Sequence, residues 1–210
     1  MCYSAEVSLV TLVVGLVGSI FVYTLGSVVD RIIALFLGYV SLMQGIELIL
    51  WNHQKCDSFH KNISFLGMLL NMSQPIVLGF LILALSNRKE YKIHIIGILI
   101  LYSIFGLHIV NSYKKNLQCT QPRENDPHLV WNWTILESWR IDWAIYIITT
   151  CLILILGMPT LNQGILSAVC MFFSMIISII VYPRQDMGAM WCFFASLVPP
   201  SYYFLRKFVL

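Results

Sequence analysis

The chain has 210 residues, of which 59% are hydrophobic and 11% charged, with a formal net charge of +3 and a mean hydropathy of +0.79. A soluble domain carries about 25% charged residues, so this composition excludes a self-solvating globule, and the few scattered basic residues leave no electrostatic footprint for nucleic acid. The expected class is an all-α polytopic membrane protein, a single domain over 1–210 with the lipid bilayer as its first partner.

A hydrocarbon core about 30 Å thick takes about 20 apolar residues of helix. Taken in chain order, the apolar stretches predict a bundle of seven transmembrane helices at Val7–Leu25, Ile32–Trp51, Ile63–Leu85, Ile93–Val110, Ile141–Met158, Gly164–Tyr182 and Gly188–Leu205. No Lys or Arg precedes Arg31, so the first stretch lacks the charged start of a cleaved signal peptide and reads as a retained helix. Arg31, Arg88, Lys89, Lys92, Arg206 and Lys207 fall on the side of the C-terminus with few acids beside them, against Lys55, Lys61, Lys114, Lys115, Arg123, Arg140 and Arg184 on the other side, a nearly even count in which the second group is largely balanced by neighbouring acids. Positive charge concentrates on the cytosolic side, which predicts the N-terminus outside and the C-terminus in the cytosol. Paired helix breaks at Gln74-Pro75 and Pro199-Pro200 also fit a three-plus-one-plus-three repeat of the kind used by small carriers.

The connection after the fourth helix differs in composition. It begins with Gln-Pro-Arg-Glu-Asn-Asp-Pro and continues through Trp131, Trp133 and Trp139, which reads as an exposed polar loop followed by an interfacial segment with its indoles at headgroup level. All six tryptophans map to this same side of the membrane, as an aromatic belt would place them. Cys56 and Cys119 lie in the second and fourth loops on that side, where oxidising conditions would join them as a disulfide; two unpaired loop thiols are the alternative. Sequons at Asn62 and Asn132 share that side.

Ionisable groups inside a bilayer cost about 2.5–3.5 kcal/mol or more, so each calls for a partner or a task. Glu47 stands a turn before Trp51 on the second helix, with Gln44 on its face. Ser4, Gln74, His108, Asn111 and Asp142 map to a similar depth, and with them Glu47 is expected to line a pocket open to the N-terminal side. The plainer readings are that Glu47 is interhelical glue bonded to Gln44, that Asp142 caps its helix, and that Gln74 satisfies the carbonyl freed by Pro75. His53 and His108 lie too near the interface to suggest a metal, and none is expected. Phosphate-cradling, zinc-protease, redox and hydrolase motifs are all missing, and no cofactor is expected. The seventh helix carries no lysine before Lys207, which excludes a retinal Schiff base at mid-membrane.

The chain opens Met1-Cys2-Tyr3-Ser4-Ala5, the second helix carries Gln44, Glu47 and Trp51 in that order, and the third carries Gln74-Pro75. On these three segments it resembles a group of uncharacterised seven-helix membrane proteins that begin Met-Cys-aromatic-Ser-Ala. The resemblance implies the fold and these positions, and brings no activity with it. The long fourth loop departs from the pattern. If the initiator Met is trimmed, Cys2 presents an amine and a thiol together, a pair suited to chelation or nucleophilic chemistry; packing at the helix end is the plainer role.

These features favour a small-solute or ion carrier, or a ligand-binding membrane protein, with Glu47, Gln44, Cys2, Ser4, Gln74, His108, Asn111 and Asp142 as site residues. Rival readings are an intramembrane enzyme using Cys2, Glu47 and a histidine, and a structural or interaction protein without a pocket. Composition is silent on the oligomeric state.

Overall fold

The computed structural model describes residues 4–114, 118–123, 126–131, 139–181 and 187–208, with backbone alone at 123, 126–127, 139–140 and 187–189. Among the described residues there are seven α-helices: α1 (Ala5–Thr24), α2 (Val28–Asn52), α3 (Ser58–Leu85), α4 (Lys92–Lys114), α5 (Trp139–Gly157), α6 (Leu161–Val181) and α7 (Met187–Phe208). A short antiparallel hairpin, β1 (Gln121–Arg123) and β2 (Asp126–Val130), lies between α4 and α5. Among the described residues, five helical segments, α1, α2, α3, α6 and the stretch Lys89–Lys114 containing α4, are long and apolar enough to cross a membrane. The protein is an all-α integral membrane protein.

Local chemistry sets the helix ends outside the apolar runs. Gly26 adopts φ 89° between α1 and α2, a conformation that costs glycine nothing. Ser27 and Asp30 then form a capping box at the start of α2. Asp57 accepts from the His60 backbone N–H and starts α3 at Ser58, five residues before the apolar run that the sequence marks. That N–H holds the Asp57 carboxyl below the usual carboxylate range.

α2 packs against α1, α3 and α7, while α3 also touches α4 and α5. Polarity is arranged inside-out relative to a soluble bundle. On α1, Ser8, Thr11, Gly15, Gly18 and Ser19 are buried while Leu9, Val10, Val13, Val17, Ile20 and Phe21 are exposed. Lipid supplies no hydrophobic drive between helices, so close approach of small residues replaces it. Gly18 meets the proline break of α7, where an added Cβ would stand 2.8 Å from the Pro200 backbone N.

Tyr202 donates to the Asp30 carboxylate at 2.7 Å, and Arg206 Nε approaches it at 3.6 Å. This ties the end of α7 to the start of α2 at the end of the bundle opposite the hairpin. Gly18→Leu should force α1 off α7, because backbone cannot yield as a flexible side chain does; a loss of about 1–3 kcal/mol, seen as a lower melting temperature in detergent, is the expected result, with Gly97→Leu, which meets open space, as the unaffected control.

Candidate functional site

Glu47 is fully buried at 0% exposure, one turn from Gln44, which is buried with it. Both face inward because α2 is enclosed by three neighbouring helices. From α1, Thr11 Oγ1 donates to Gln44 Oε1 at 2.8 Å. From the hairpin side, the Trp131 indole N–H donates to Glu47 Oε1 at 3.4 Å. From α3 comes Gln74, whose Oε1 accepts from the buried Tyr146 hydroxyl of α5. The Cys192 thiol of α7 sits beside the Gln74 amide and within the field of Glu47. Three polar pairs, Thr11–Gln44, Trp131–Glu47 and Tyr146–Gln74, with Cys192 acted on by both Glu47 and Gln74, thus draw on five helices and the hairpin.

Aromatic rings enclose this centre. Tyr146 makes edge contacts with Trp143, at 5.6 Å between centroids, and with Trp191, at 6.3 Å. Tyr102 donates to the Met72 carbonyl at 3.0 Å, beside the Pro75 break, and Asp142 lies near enough to act on the Tyr102 phenol. Trp131, Trp143 and Trp191 are all buried. The belt expected from the sequence is therefore not where these three indoles sit: they are turned into the protein, because each finds packing there and Trp131 and Trp191 find acceptors, Glu47 and Ser174 respectively. Trp133 lies outside the described residues, as does the Trp139 side chain.

The hairpin that delivers Trp131 is tied down at several points. Cys56 and Cys119 form a disulfide with Cα atoms 5.7 Å apart. Buried His60 turns both ring nitrogens toward carbonyl oxygens, one of His53 and one of Thr120. Ser64 Oγ accepts the Thr120 N–H at 3.2 Å, and Gln121 Nε2 donates to the Gln54 carbonyl at 2.6 Å. The Trp131 ring lies against Gly67 of α3, where any side chain would intrude: a Cβ there would sit 2.7 Å from the ring.

The residues singled out from the sequence have separate fates. Glu47, Gln44 and Gln74 come together, and Asp142 is buried near Tyr102. Ser4 caps α1 by accepting from Val7 N at 3.3 Å. His108 and Asn111 are exposed; the buried side of α4 is taken by Tyr102, Ile109 and Tyr113, so these two polar groups do not reach the centre. His53 bonds Asp57 at 3.0 Å near the surface. Cys2 lies outside the described residues. Sequence reasoning passed over Thr11, His60, Trp131, Tyr146 and Cys192. A signal existed for Thr11 and Ser8, which share a face of α1 with Gly15 in a helix otherwise rich in large apolar residues, but nothing local distinguishes Tyr146 or Cys192.

The comparisons with known proteins return no match: no family model, no curated protein and no solved structure is similar to this chain.

Trp131, bonded to Glu47, is expected to be the cover over this centre, and Cys192, within the field of Glu47, is a native reporter at 1% exposure. Trp131→Ala should raise the rate at which a methanethiosulfonate modifies Cys192 by about tenfold, the change that ~1.4 kcal/mol of lost closure produces. Peptide mass spectrometry reads each cysteine separately, and an unchanged Cys192 rate would show that Trp131 is not the cover.

Proposed function

We infer that this protein crosses the membrane seven times and binds and carries a small solute or ion at the Glu47 centre, with its N-terminus outside and its C-terminus in the cytosol. The observation that carries the reading is Glu47 itself, at 0% exposure among polar groups from several helices. A carboxyl group in such a place is costly, and polar or ionisable groups kept inside a membrane bundle commonly mark a ligand or ion path. Three buried polar pairs, Thr11–Gln44, Trp131–Glu47 and Tyr146–Gln74, are more than interhelical glue at Glu47 alone would need.

Seven spans are supported by length. α5 has 19 residues and α7 has 22, and at 1.5 Å per residue both match a hydrocarbon core of about 30 Å. The disulfide of the hairpin end favours an oxidising compartment on that side, in agreement with the basic residues at the other.

Reconstituted in vesicles, the protein is expected to move sodium ions or protons, or a solute driven by them, in a Glu47-dependent way. Glu47→Gln keeps the shape and most hydrogen bonds, and should abolish flux while leaving the melting temperature nearly unchanged; Glu47→Leu should lower both. Should Glu47→Gln unfold the protein as badly as Glu47→Leu, the residue is structural and the carrier reading fails.

Orientation is tested independently. In intact cells a tag after Leu210 should be reachable only from the cytosol and reporters in the 113–138 loop only from outside; the opposite accessibility would invert the assignment.

A further inference from the structure

The chemistry of the ligand can be read from what surrounds Glu47. The α1–α2 interface has a clear register: Gly15 lies against Ser41, and Thr11 bonds Gln44. One turn further along, the same antiparallel register sets Ser8 at the level of Glu47. Ser8 is buried at 0% exposure, and its Oγ has no hydrogen-bond partner among the described residues. On α3, Gly67, Asn71 and Gln74 share one face. Gly67 carries the Trp131 ring, so Asn71 lies one turn beneath the indole that bonds Glu47. Asn71 is buried at 3% exposure, and its Oδ1 likewise has no partner among the described residues.

Buried polar atoms are almost always bonded, and an unbonded one calls for an explanation. Ser8 Oγ can accept, Asn71 Oδ1 is an acceptor, and Glu47 adds a carboxyl group that already takes an indole N–H, while the Gln74 Nε2 donor, bonded to no nitrogen or oxygen among the described residues, has the Cys192 thiol beside it. The missing complement to such a set is a donor with several N–H groups. The walls carry the second half of the signature: Trp131, Tyr146 and Trp191 are buried around the same centre, Trp131 reaching it with its indole N–H and Tyr146 with its hydroxyl, and aromatic rings attract cations most strongly when water is excluded. Acceptors, an acid and enclosing aromatic rings are together what a protonated amine requires.

We propose that the Glu47 centre is a binding site for a small organic ammonium, a protonated primary amine whose N–H groups are taken by Glu47, Ser8 Oγ and Asn71 Oδ1 and whose charge lies against Trp131 and Tyr146. The proposal rests on the carrier reading above and names the class of its solute.

The test uses the full-length protein in nanodiscs with n-propylammonium chloride as probe, propan-1-ol as the neutral analogue of similar size and sodium chloride as the inorganic control, read by the fluorescence of the buried tryptophans against empty nanodiscs. Saturable binding of propylammonium at least tenfold tighter than any response to propan-1-ol is expected. Glu47→Asp, which keeps the charge, should retain more of it than Glu47→Gln, and Asn71→Leu should weaken it tenfold or more. Equal responses to the amine and the alcohol, or an affinity indifferent to Glu47→Gln, overturn the proposal, and the wild-type comparison decides even if a variant fails to fold. Glu47-dependent sodium or proton flux without propylammonium binding overturns the amine and leaves the carrier; absence of both overturns the two readings together.

Discussion

Burial of the Glu47 carboxyl is the constraint on which the rest of this structure turns. Away from water, a carboxyl group is tolerated only where other groups take over its hydrogen bonds. The helices around it are consequently spaced so that polar side chains reach inward: Thr11 on Gln44, Trp131 on Glu47, and Tyr146 on Gln74. The small residues of α1 serve the same end, since Ser8, Thr11 and Gly15 bring its backbone close enough for short side chains to meet α2.

The same constraint accounts for the hairpin. A loop at a membrane surface gains little by folding inward unless something inside binds it, and here the Glu47 carboxyl binds an indole N–H. The disulfide, His60, Ser64 and Gln121 hold β1 and its approach against the ends of α2 and α3, which lowers the ordering entropy left for Trp131 to offset. Gly67 completes the fit by leaving room for the ring.

α2 carries a second buried carboxyl at its other end. Asp30, also at 0% exposure, accepts from the Ser27 backbone and hydroxyl and from the Tyr202 hydroxyl, with Arg206 at 3.6 Å. Arg206 is exposed, so the ion pair itself is worth little, and the hydrogen bond from the Tyr202 hydroxyl to the carboxylate carries the junction between α2 and α7. The central helix is thus anchored by acids at both ends: one satisfied mainly by its own capping box, the other bonded by Trp131 from a distant part of the chain.

The class of the protein was legible in the sequence because it depends on composition and on the length of apolar runs, which are local properties. Glu47, Gln44 and Gln74 stood out for the same reason: a polar residue in an apolar run is conspicuous wherever its helix packs. The two loop thiols stood out as well, although their union depends on the hairpin lying across the ends of α2 and α3. Helix starts at Ser27 and Asp57 were missed because capping depends on side chains outside the apolar runs. What only tertiary structure decided is which way each side chain faces. His108 and Asn111 share a depth with Glu47 but look outward, because α4 gives its inner face to Tyr102, Ile109 and Tyr113. Trp131 reads as an interfacial anchor by type and position, yet is buried, because a cross-link 63 residues long in sequence and a glycine on another helix create its slot. Depth follows from sequence position along a helix, whereas facing follows from the neighbours, and those are contributed by segments far apart in the chain.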